Sequence, residues 1–110
     1  MIKSFADKET RQLFEGQRVR AFEAISEQAR RRLDAVAVAE TLRELQARPG
    51  NRFEALKGDR AGQYSVRINA QWRICFRWQP SPSHSSADDD KVDPLDVPGD
   101  AVDVAIVDYH

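Results

Sequence analysis

Apolar and polar side chains alternate in the stretch YSVRINAQWRICFRW, residues 64–78, on both sides of the short polar connection Asn69-Ala70-Gln71. A period of two residues is typical of β-strands that bury one face. A connection of three residues can join two antiparallel strands in a hairpin. The stretch therefore predicts two adjacent antiparallel strands. Val66 and Ile74 belong to their apolar face, and a polar face lies on the other side.

The register of this hairpin brings two arginines together. If residues 69–71 form a three-residue loop, Arg67 lies directly across from Arg73 on the polar face, while the apolar residues pack on the helices. Like charges in this arrangement are mildly destabilising unless an anion or an acidic side chain lies between them. Two interpretations carry equal weight here. One is an internal partner such as Asp59 or Asp108, and the other is a phosphate group bound by the forked guanidinium groups.

Further basic residues extend this predicted surface, namely Arg77, Lys57 and Arg60. Residues 1–79 contain 16 basic and 10 acidic side chains, a net charge of +6, whereas residues 80–110 carry a net charge of −7. A basic body suits a polyanionic partner, because lysine and arginine neutralise phosphates. The run Arg30-Arg31-Arg32 lies within a helical pattern. We interpret it as a solvated helix face rather than as a dedicated nucleic-acid site.

Upstream of the hairpin the apolar spacing changes to three and four residues, the period of helices. Asp7 is a candidate N-cap and Gly16 a candidate terminator of a first helix. The apolar stripe at 22–36 predicts a second helix, with a break near 35–39 before a third. Further strands are predicted at 2–5, 53–57 and 102–109. We therefore predict one α+β domain over 1–110. In it, an N-terminal strand and two or three helices pack on one face of a mainly antiparallel sheet of four to five strands.

Residues 80–101 interrupt the strand pattern. They contain four prolines, several serines and the run Asp88-Asp89-Asp90. Such a composition is typical of a flexible, solvated segment. A connection of this length is uncommon inside a compact domain. We predict an acidic, flexible surface loop at about 80–101.

Several function classes have no support in the sequence. No apolar run approaches the roughly 20 residues of a membrane-spanning helix, and the N-terminus lacks the apolar core of a secretory signal. The single cysteine, Cys75, allows no intrachain disulfide, and we interpret it as a small buried thiol rather than a nucleophile. Metal-ligand spacings and glycine-rich phosphate loops are absent from the sequence. We expect a cytoplasmic protein without a metal or cofactor.

The last three residues, Asp108-Tyr109-His110, supply a carboxylate, a phenol and an imidazole at the end of a predicted strand. Imidazole titrates near neutrality, so it can transfer protons during phosphodiester cleavage. A C-terminal histidine taken alone is more often a frayed end than a functional group. The other histidine, His84, lies in the polar segment and is expected to be solvated.

These motifs together resemble the HigB toxins, also called plasmid maintenance system killer proteins, of the RelE/ParE superfamily. The matching pieces are Met1-Ile2-Lys3-Ser4-Phe5, Leu56-Lys57-Gly58-Asp59-Arg60-Ala61-Gly62, Tyr64-Ser65-Val66, Asn69, Trp72-Arg73-Ile74, Phe76 and Asp108-Tyr109-His110. The resemblance covers about 1–79 and 102–110, although residues 17–50 match only in character. It implies a RelE-like fold. It also implies a toxin of a type II toxin–antitoxin system, an endoribonuclease that cleaves mRNA in the ribosomal A site and inhibits translation.

The resemblance also implies partners and roles. The partners would be the ribosome with its mRNA and a HigA-type helix-turn-helix antitoxin, with operator DNA contacted only indirectly and no membrane. Cleavage would need no metal, since the 2′-hydroxyl of the RNA attacks the adjacent phosphate. His110 would act as general acid or base, with Tyr109 and Asp108 orienting it or the phosphate. Lys57 and Arg73 would stabilise the transition-state charge. The expected RNA contacts are Arg67, Arg77 and Arg60.

Two features depart from the family pattern. Members often carry a histidine two residues before the leucine of the Leu-Lys-Gly-Asp motif, where this sequence has Glu54. Glu54 could replace it as a catalytic base, or it could be a structural partner of the nearby cations. The segment 80–101 is longer than the short turn expected, and one hypothesis is that it folds back over the basic face and competes with RNA. Deleting residues 82–99 would then raise RNA affinity or activity at low salt.

Two alternative functions stay open at this point. One is a ParE-like poison of DNA gyrase on the same fold, against which the terminal Asp108-Tyr109-His110 argues. The other is a catalytically weak toxin that acts mainly as an antitoxin-bound co-repressor, an interpretation that Glu54 favours. A fold resemblance does not separate these functions by itself.

Overall fold

The computed structural model of the protein describes residues 1–81 and 93–108. Its helices are α1 (Lys8–Phe14), α2 (Ser26–Val38) and α3 (Leu42–Gln46), and its strands are β1 (Glu54–Ala55), β2 (Gln63–Arg67), β3 (Trp72–Pro80) and β4 (Gly99–Asp108). Short 3₁₀ turns occur at Arg20–Ile25, Pro49–Asn51, Gly58–Arg60 and Pro94–Asp96. The predicted α+β class is confirmed.

The helices begin and end where side chains satisfy their terminal backbone groups. Asp7 caps α1, because its Oδ1 accepts a hydrogen bond from the backbone N–H of Thr10 at 2.7 Å. Gly16 follows α1 with a φ of +91°, a conformation that favours glycine. The break predicted near 35–39 is present, since α2 ends at Val38. The N–H of Thr41 before α3 donates to the Glu44 carboxylate at 2.9 Å.

The four strands form one antiparallel sheet in the order β1-β2-β3-β4. Val66 pairs with Ile74, and Arg67 pairs with Arg73, so the predicted hairpin register is confirmed. The predicted N-terminal strand is reduced to two isolated parallel bridges beside β4, from Ile2 to Ala101 and from Phe5 to Val104.

A bulge in β4 changes which side chains face the helices. Arg77 pairs with Val102 and Cys75 pairs with Ala105, so two residues of β4 stand opposite one residue of β3. Asp103 occupies the bulge with a φ of +54°, and its N–H donates to Ser4 Oγ at 2.9 Å. The extra residue keeps both Ala101 and Val104 buried in the core, although they are an odd number of residues apart.

The hydrophobic core lies between the helices and one face of the sheet. Its largest fully buried apolar side chains come from both layers: Leu13, Leu33, Val36, Leu42, Leu45, Val66, Ile74, Phe76 and Val104. Phe22 packs edge-on against Trp72, with ring centroids 5.6 Å apart. The opposite face of the sheet bears the paired Arg67 and Arg73.

The strands limit the loop predicted at about 80–101 to residues 81–98. Pro80 still belongs to β3, and Gly99 already belongs to β4. Arg43 on α3 binds the carboxylates of Asp93 and Asp96 at 2.9 and 3.0 Å. The aspartates and prolines that suggested a flexible loop serve partly as helix caps and ion-pair partners. The tri-aspartate run and His84 lie within 82–92, outside the described residues.

The described helices include none with the length and apolar character needed to cross a membrane.

Candidate active site

The sheet face opposite the helices combines small side chains with arginines. Three rows of paired residues cross the strands on this face: Arg67, Arg73 and Val107; Glu54, Ser65, Cys75 and Ala105; and Gln63, Arg77 and Val102. Ser65 and Cys75 are buried although they lie outside the core cluster, so other groups on this face cover them. We call this surface, defined by the three rows and the adjoining turn Gly58–Arg60, the basic face.

Arg73 is held in place by several partners on the basic face. Its Nε donates to Ser65 Oγ at 2.8 Å, and its Nη2 donates to the carbonyl oxygen of Arg52 at 2.6 Å. The side chain is only 12% exposed, which limits its motion and its hydration. A guanidinium fixed in this way is suited to stabilising an oxyanion, because its donors are oriented before the ligand binds.

Glu54 is the acidic neighbour of this arginine. Its Oε2 lies 3.6 Å from Nη2 of Arg73, and its side chain is 58% exposed. The interpretation of Glu54 as a structural partner of the nearby cations agrees with this contact. An exposed carboxylate at such a distance contributes little to stability and can be displaced by a competing anion.

Arg67 lies across from Arg73, as the hairpin register predicted. It is partly buried, and within the described residues its side chain has no hydrogen-bond or ion-pair partner. Asp59, one of the two partners considered for this pair, is exposed in the turn Gly58–Arg60. The two arginines therefore add positive charge to one end of the basic face.

The remaining expected RNA contacts lie around the same surface. Arg60 donates to Gln63 Oε1 at 3.4 Å, and its charge acts on the buried thiol of Cys75. Arg77 is about half exposed, and its Nε lies 4.0 Å from Asp103 Oδ2. Lys57 is exposed at the start of the turn that carries Arg60. These cations contribute a rim of positive charge.

Cys75 lies in the middle of the basic face and is 2% exposed. Burial raises the pKa of its thiol, while the charges of Arg60 and Arg73 act in the opposite direction. A thiol that is buried and protonated is a poor nucleophile. The interpretation of Cys75 as a small buried thiol is therefore confirmed, and its place is in the floor of the site.

The last described residue is Asp108, at the end of β4. It pairs with Trp72, and its Oδ2 accepts a hydrogen bond from Gln71 Nε2 at 3.1 Å. Arg73 pairs with Val107, so Asp108 is the next position along β4 and alternates to the face that Trp72 occupies, not to the basic face. Tyr109 and His110, which were predicted to transfer protons or orient the phosphate, lie outside the described residues.

The run Arg30-Arg31-Arg32 on α2 was predicted to be a solvated face, and this prediction was wrong for two of its three residues. Arg30 donates to the carbonyl oxygens of Leu13 and Gln17, at 3.2 and 3.0 Å. Arg32 donates to Asn51 Oδ1 at 2.7 Å, and only Arg31 makes a purely surface contact, to Glu27. Sequence reasoning missed these contacts because the acceptors lie far along the chain.

Two groups at the site also escaped prediction. Ser65 is fully buried and accepts from Arg73, although its place on the polar side of an alternating strand could have identified it. The second group is the backbone carbonyl of Arg52, a residue with a φ of +42°. The position of a backbone carbonyl cannot be predicted from the pattern of side chains.

The middle of the basic face is lined by small, mostly uncharged side chains with arginines on both sides, an arrangement that suits a phosphodiester.

Within residues 1–81 and 93–108, no three His, Cys, Asp or Glu side chains come close enough together to hold a metal ion.

Comparison with known proteins gives a consistent family. The family model described as "RelE-like toxin of type II toxin-antitoxin system HigB" matches residues 3–94. The chain is 38% identical over 80 residues to Toxin HigB-1 of Vibrio cholerae, which covers 71% of this chain and 84% of that protein. It is 36% identical over 83 residues to Endoribonuclease HigB of Proteus vulgaris, with 71% and 85% covered.

A solved structure shares the fold. The YoeB/ParE toxin from Agrobacterium tumefaciens superposes with a TM-score of 0.52 at 21% sequence identity, covering 100% of this chain and 99% of that one. At this level of identity the likeness concerns the fold alone.

Proposed function

The chain belongs to the HigB family of RelE-like toxins of type II toxin–antitoxin systems, and from this premise we propose that it is an endoribonuclease that cleaves mRNA on the translating ribosome. The observation that carries the proposal is the fixed Arg73, which lies beside Arg67 on a floor of small side chains. Two adjacent cations on a neutral floor are suited to a phosphodiester, because they neutralise its charge without a bulky side chain in the way.

The proposed chemistry uses the substrate's own nucleophile. The 2′-oxygen of the ribose attacks the adjacent phosphorus, the bond from phosphorus to the 5′-oxygen of the next nucleotide breaks, and a cyclic phosphate forms. One proton leaves the 2′-hydroxyl and another is delivered to the departing 5′-oxygen. We assign these proton transfers to His110, oriented by Tyr109 and Asp108, by analogy with the family.

In this scheme Arg73 and Lys57 stabilise the additional negative charge that the phosphate carries in the transition state. Removal of one donor aimed at such a charge typically costs about 3 kcal/mol in barrier height. Arg67, Arg60 and Arg77 bind neighbouring phosphates. Glu54 is the counter-ion of Arg73 in the free protein, and the substrate phosphate displaces Glu54 from Arg73.

The partners follow from the family. A type II system supplies a cognate antitoxin protein, and we propose that it is of the HigA helix-turn-helix type and that any contact with operator DNA runs through it. The proposed site of action is the cytoplasm, where mRNA is engaged with ribosomes.

The decisive experiment is induction of the chain without an antitoxin, with wild type and His110→Ala compared in the same cells. Growth and primer-extension mapping of mRNA ends are measured in the same cultures. Growth arrest with new in-frame mRNA ends, both lost in the variant, is the expected result. Arrest with intact mRNA and damaged DNA would replace the nuclease with a gyrase poison, and the absence of any arrest would favour a co-repressor.

A further inference from the structure

We propose that Ser65 is a positioning residue, which holds the guanidinium of Arg73 in its working orientation through an uncharged acceptor. This inference rests on the proposed function, because the working orientation is the one that meets the scissile phosphate. Ser65 itself does not contact the substrate. It acts through the arginine.

The geometry supports a specific role for the hydroxyl. Ser65 is fully buried on β2, and its Oγ accepts from Arg73 Nε at 2.8 Å. The carbonyl of Arg52 accepts from a second nitrogen, Nη2, at 2.6 Å. Two acceptors on two nitrogens of one planar group fix both its position and the direction of its plane.

The chemical nature of the acceptors is the second argument. Arg43 and Arg31 are held by carboxylates, which neutralise their charge, whereas Arg30 and Arg32 on α2 are held by neutral acceptors, as Arg73 is on the sheet. Arg73 is held closely by a hydroxyl and a carbonyl, and the carboxylate of Glu54 is farther away and exposed. The hydroxyl and the carbonyl orient the guanidinium through hydrogen bonds and, being uncharged, do not compete with a ligand phosphate as a second anion.

The two acceptors also belong to different parts of the structure. Ser65 lies in the middle of a strand, and Arg52 follows the turn Pro49–Asn51, where Asn51 is fully buried and accepts from Arg32. The carbonyl of Arg52 is part of the backbone and cannot be removed by substitution. Of the two acceptors, only the Ser65 hydroxyl can therefore be removed by substitution.

The functional test compares Ser65→Ala, Arg73→Ala and the double variant in single-turnover cleavage of mRNA on purified ribosome complexes. Ser65→Ala should lower the cleavage rate roughly tenfold, because a misplaced donor loses its interaction with the transition state. The toxin concentration for half-maximal rate should change by less than about threefold. In the Arg73→Ala background the same substitution should have no further effect.

A merely structural role would give a different pattern, because a loss of folded protein lowers the rate in both backgrounds. Additive losses, or a Ser65→Ala variant as fast as wild type, would overturn the proposal. Ser26→Ala is the matched control, because its exposed hydroxyl donates to the backbone carbonyl of Glu23, and it should cleave at the wild-type rate.

A second measurement is made on the wild-type protein, with a variant used only to assign the signal, and does not depend on cleavage. In proton–nitrogen NMR spectra the Nε–H of Arg73, assigned through Arg73→Lys, should exchange with water at least tenfold more slowly than that of Arg67. Equal exchange rates would overturn the positioning role. If the Arg73 Nε–H exchanged slowly but the wild-type protein cleaved no RNA, the proposed nuclease function would be wrong and the positioning of Arg73 by Ser65 would still hold.

Discussion

Neighbouring residues of the sheet have different roles, because their side chains lie on opposite faces. Ile74 points into the core and is fully buried among apolar side chains, whereas Arg73, one residue earlier, is held by polar groups on the basic face. The period of two along a strand makes this separation possible. Substitutions one residue apart should therefore act mainly on stability at Ile74 and mainly on chemistry at Arg73.

The largest effect is expected from Arg73→Ala. It should reduce single-turnover cleavage by about 100- to 1000-fold, because it removes a preorganised donor from the transition state. The free energy of unfolding should fall by about 1–2 kcal/mol, because the buried Ser65 hydroxyl loses its donor, so cleavage is compared per folded molecule. Arg31→Ala, which removes an exposed arginine paired with Glu27, is the control and should keep full activity. Comparable losses in both variants would mean that general positive charge, rather than this site, drives cleavage.

Ile74→Ala should have the reverse effect. It leaves a cavity in the core between the helices and the sheet, and it should lower the free energy of unfolding by about 3 kcal/mol. Urea denaturation measures this loss, with Ile74→Val expected to lose about 1 kcal/mol. Cleavage per folded molecule should stay close to wild type. A selective loss of activity in a fully folded variant would show that the two faces are coupled.

Arg32→Ala separates a structural arginine from a functional one. It removes the donor to the buried amide oxygen of Asn51, so we expect a loss of about 1–2 kcal/mol in unfolding free energy. Activity per folded molecule should fall slightly or not at all. A large loss of activity would instead indicate that the turn Pro49–Asn51 transmits its position to the Arg52 carbonyl and hence to Arg73.

The smallest effect concerns the ion pairs at the far end of the sheet. The hydrogen bond from Arg43 lowers the pKa of Asp96, and burial acts in the opposite direction. A lowered carboxyl pKa stabilises the fold above the ordinary aspartate value, and this stabilisation is lost as the pH falls below about 4. Urea midpoints should therefore decline less steeply below pH 4 in Asp96→Asn than in wild type.

Salt and a control variant sharpen this last test. Both side chains are about half exposed, so the contribution is small and should shrink further at high ionic strength. Asp34→Asn changes an exposed carboxylate on α2 that has no ion-pair partner among the described residues, and it should leave the acid slope unchanged. An identical slope in Asp96→Asn and wild type would show that this ion pair adds nothing in solution.

Local patterns predicted much of this molecule because their causes are local. The cap at Asp7, the helix end at Gly16 and the pairing of Arg67 with Arg73 each depend on a few neighbouring residues. The loop predicted at about 80–101 lies between strands that end at Pro80 and begin at Gly99, and its middle lies outside the described residues. Its composition shows turn-forming residues, whereas its C-terminal part is held by Arg43, about 50 residues earlier.

The sequence by itself determined the α+β class, the hairpin register, the opposite faces of β2 and β3, and the resemblance to HigB toxins, because these features are carried by periodicity and by ordered motifs. Only the tertiary structure decided how Arg73 is held, since its acceptors come from Ser65 and from the backbone of Arg52. It also decided that Arg30 and Arg32 are structural. Hydrogen bonds between distant segments depend on how the chain packs, and no local pattern of side chains encodes them.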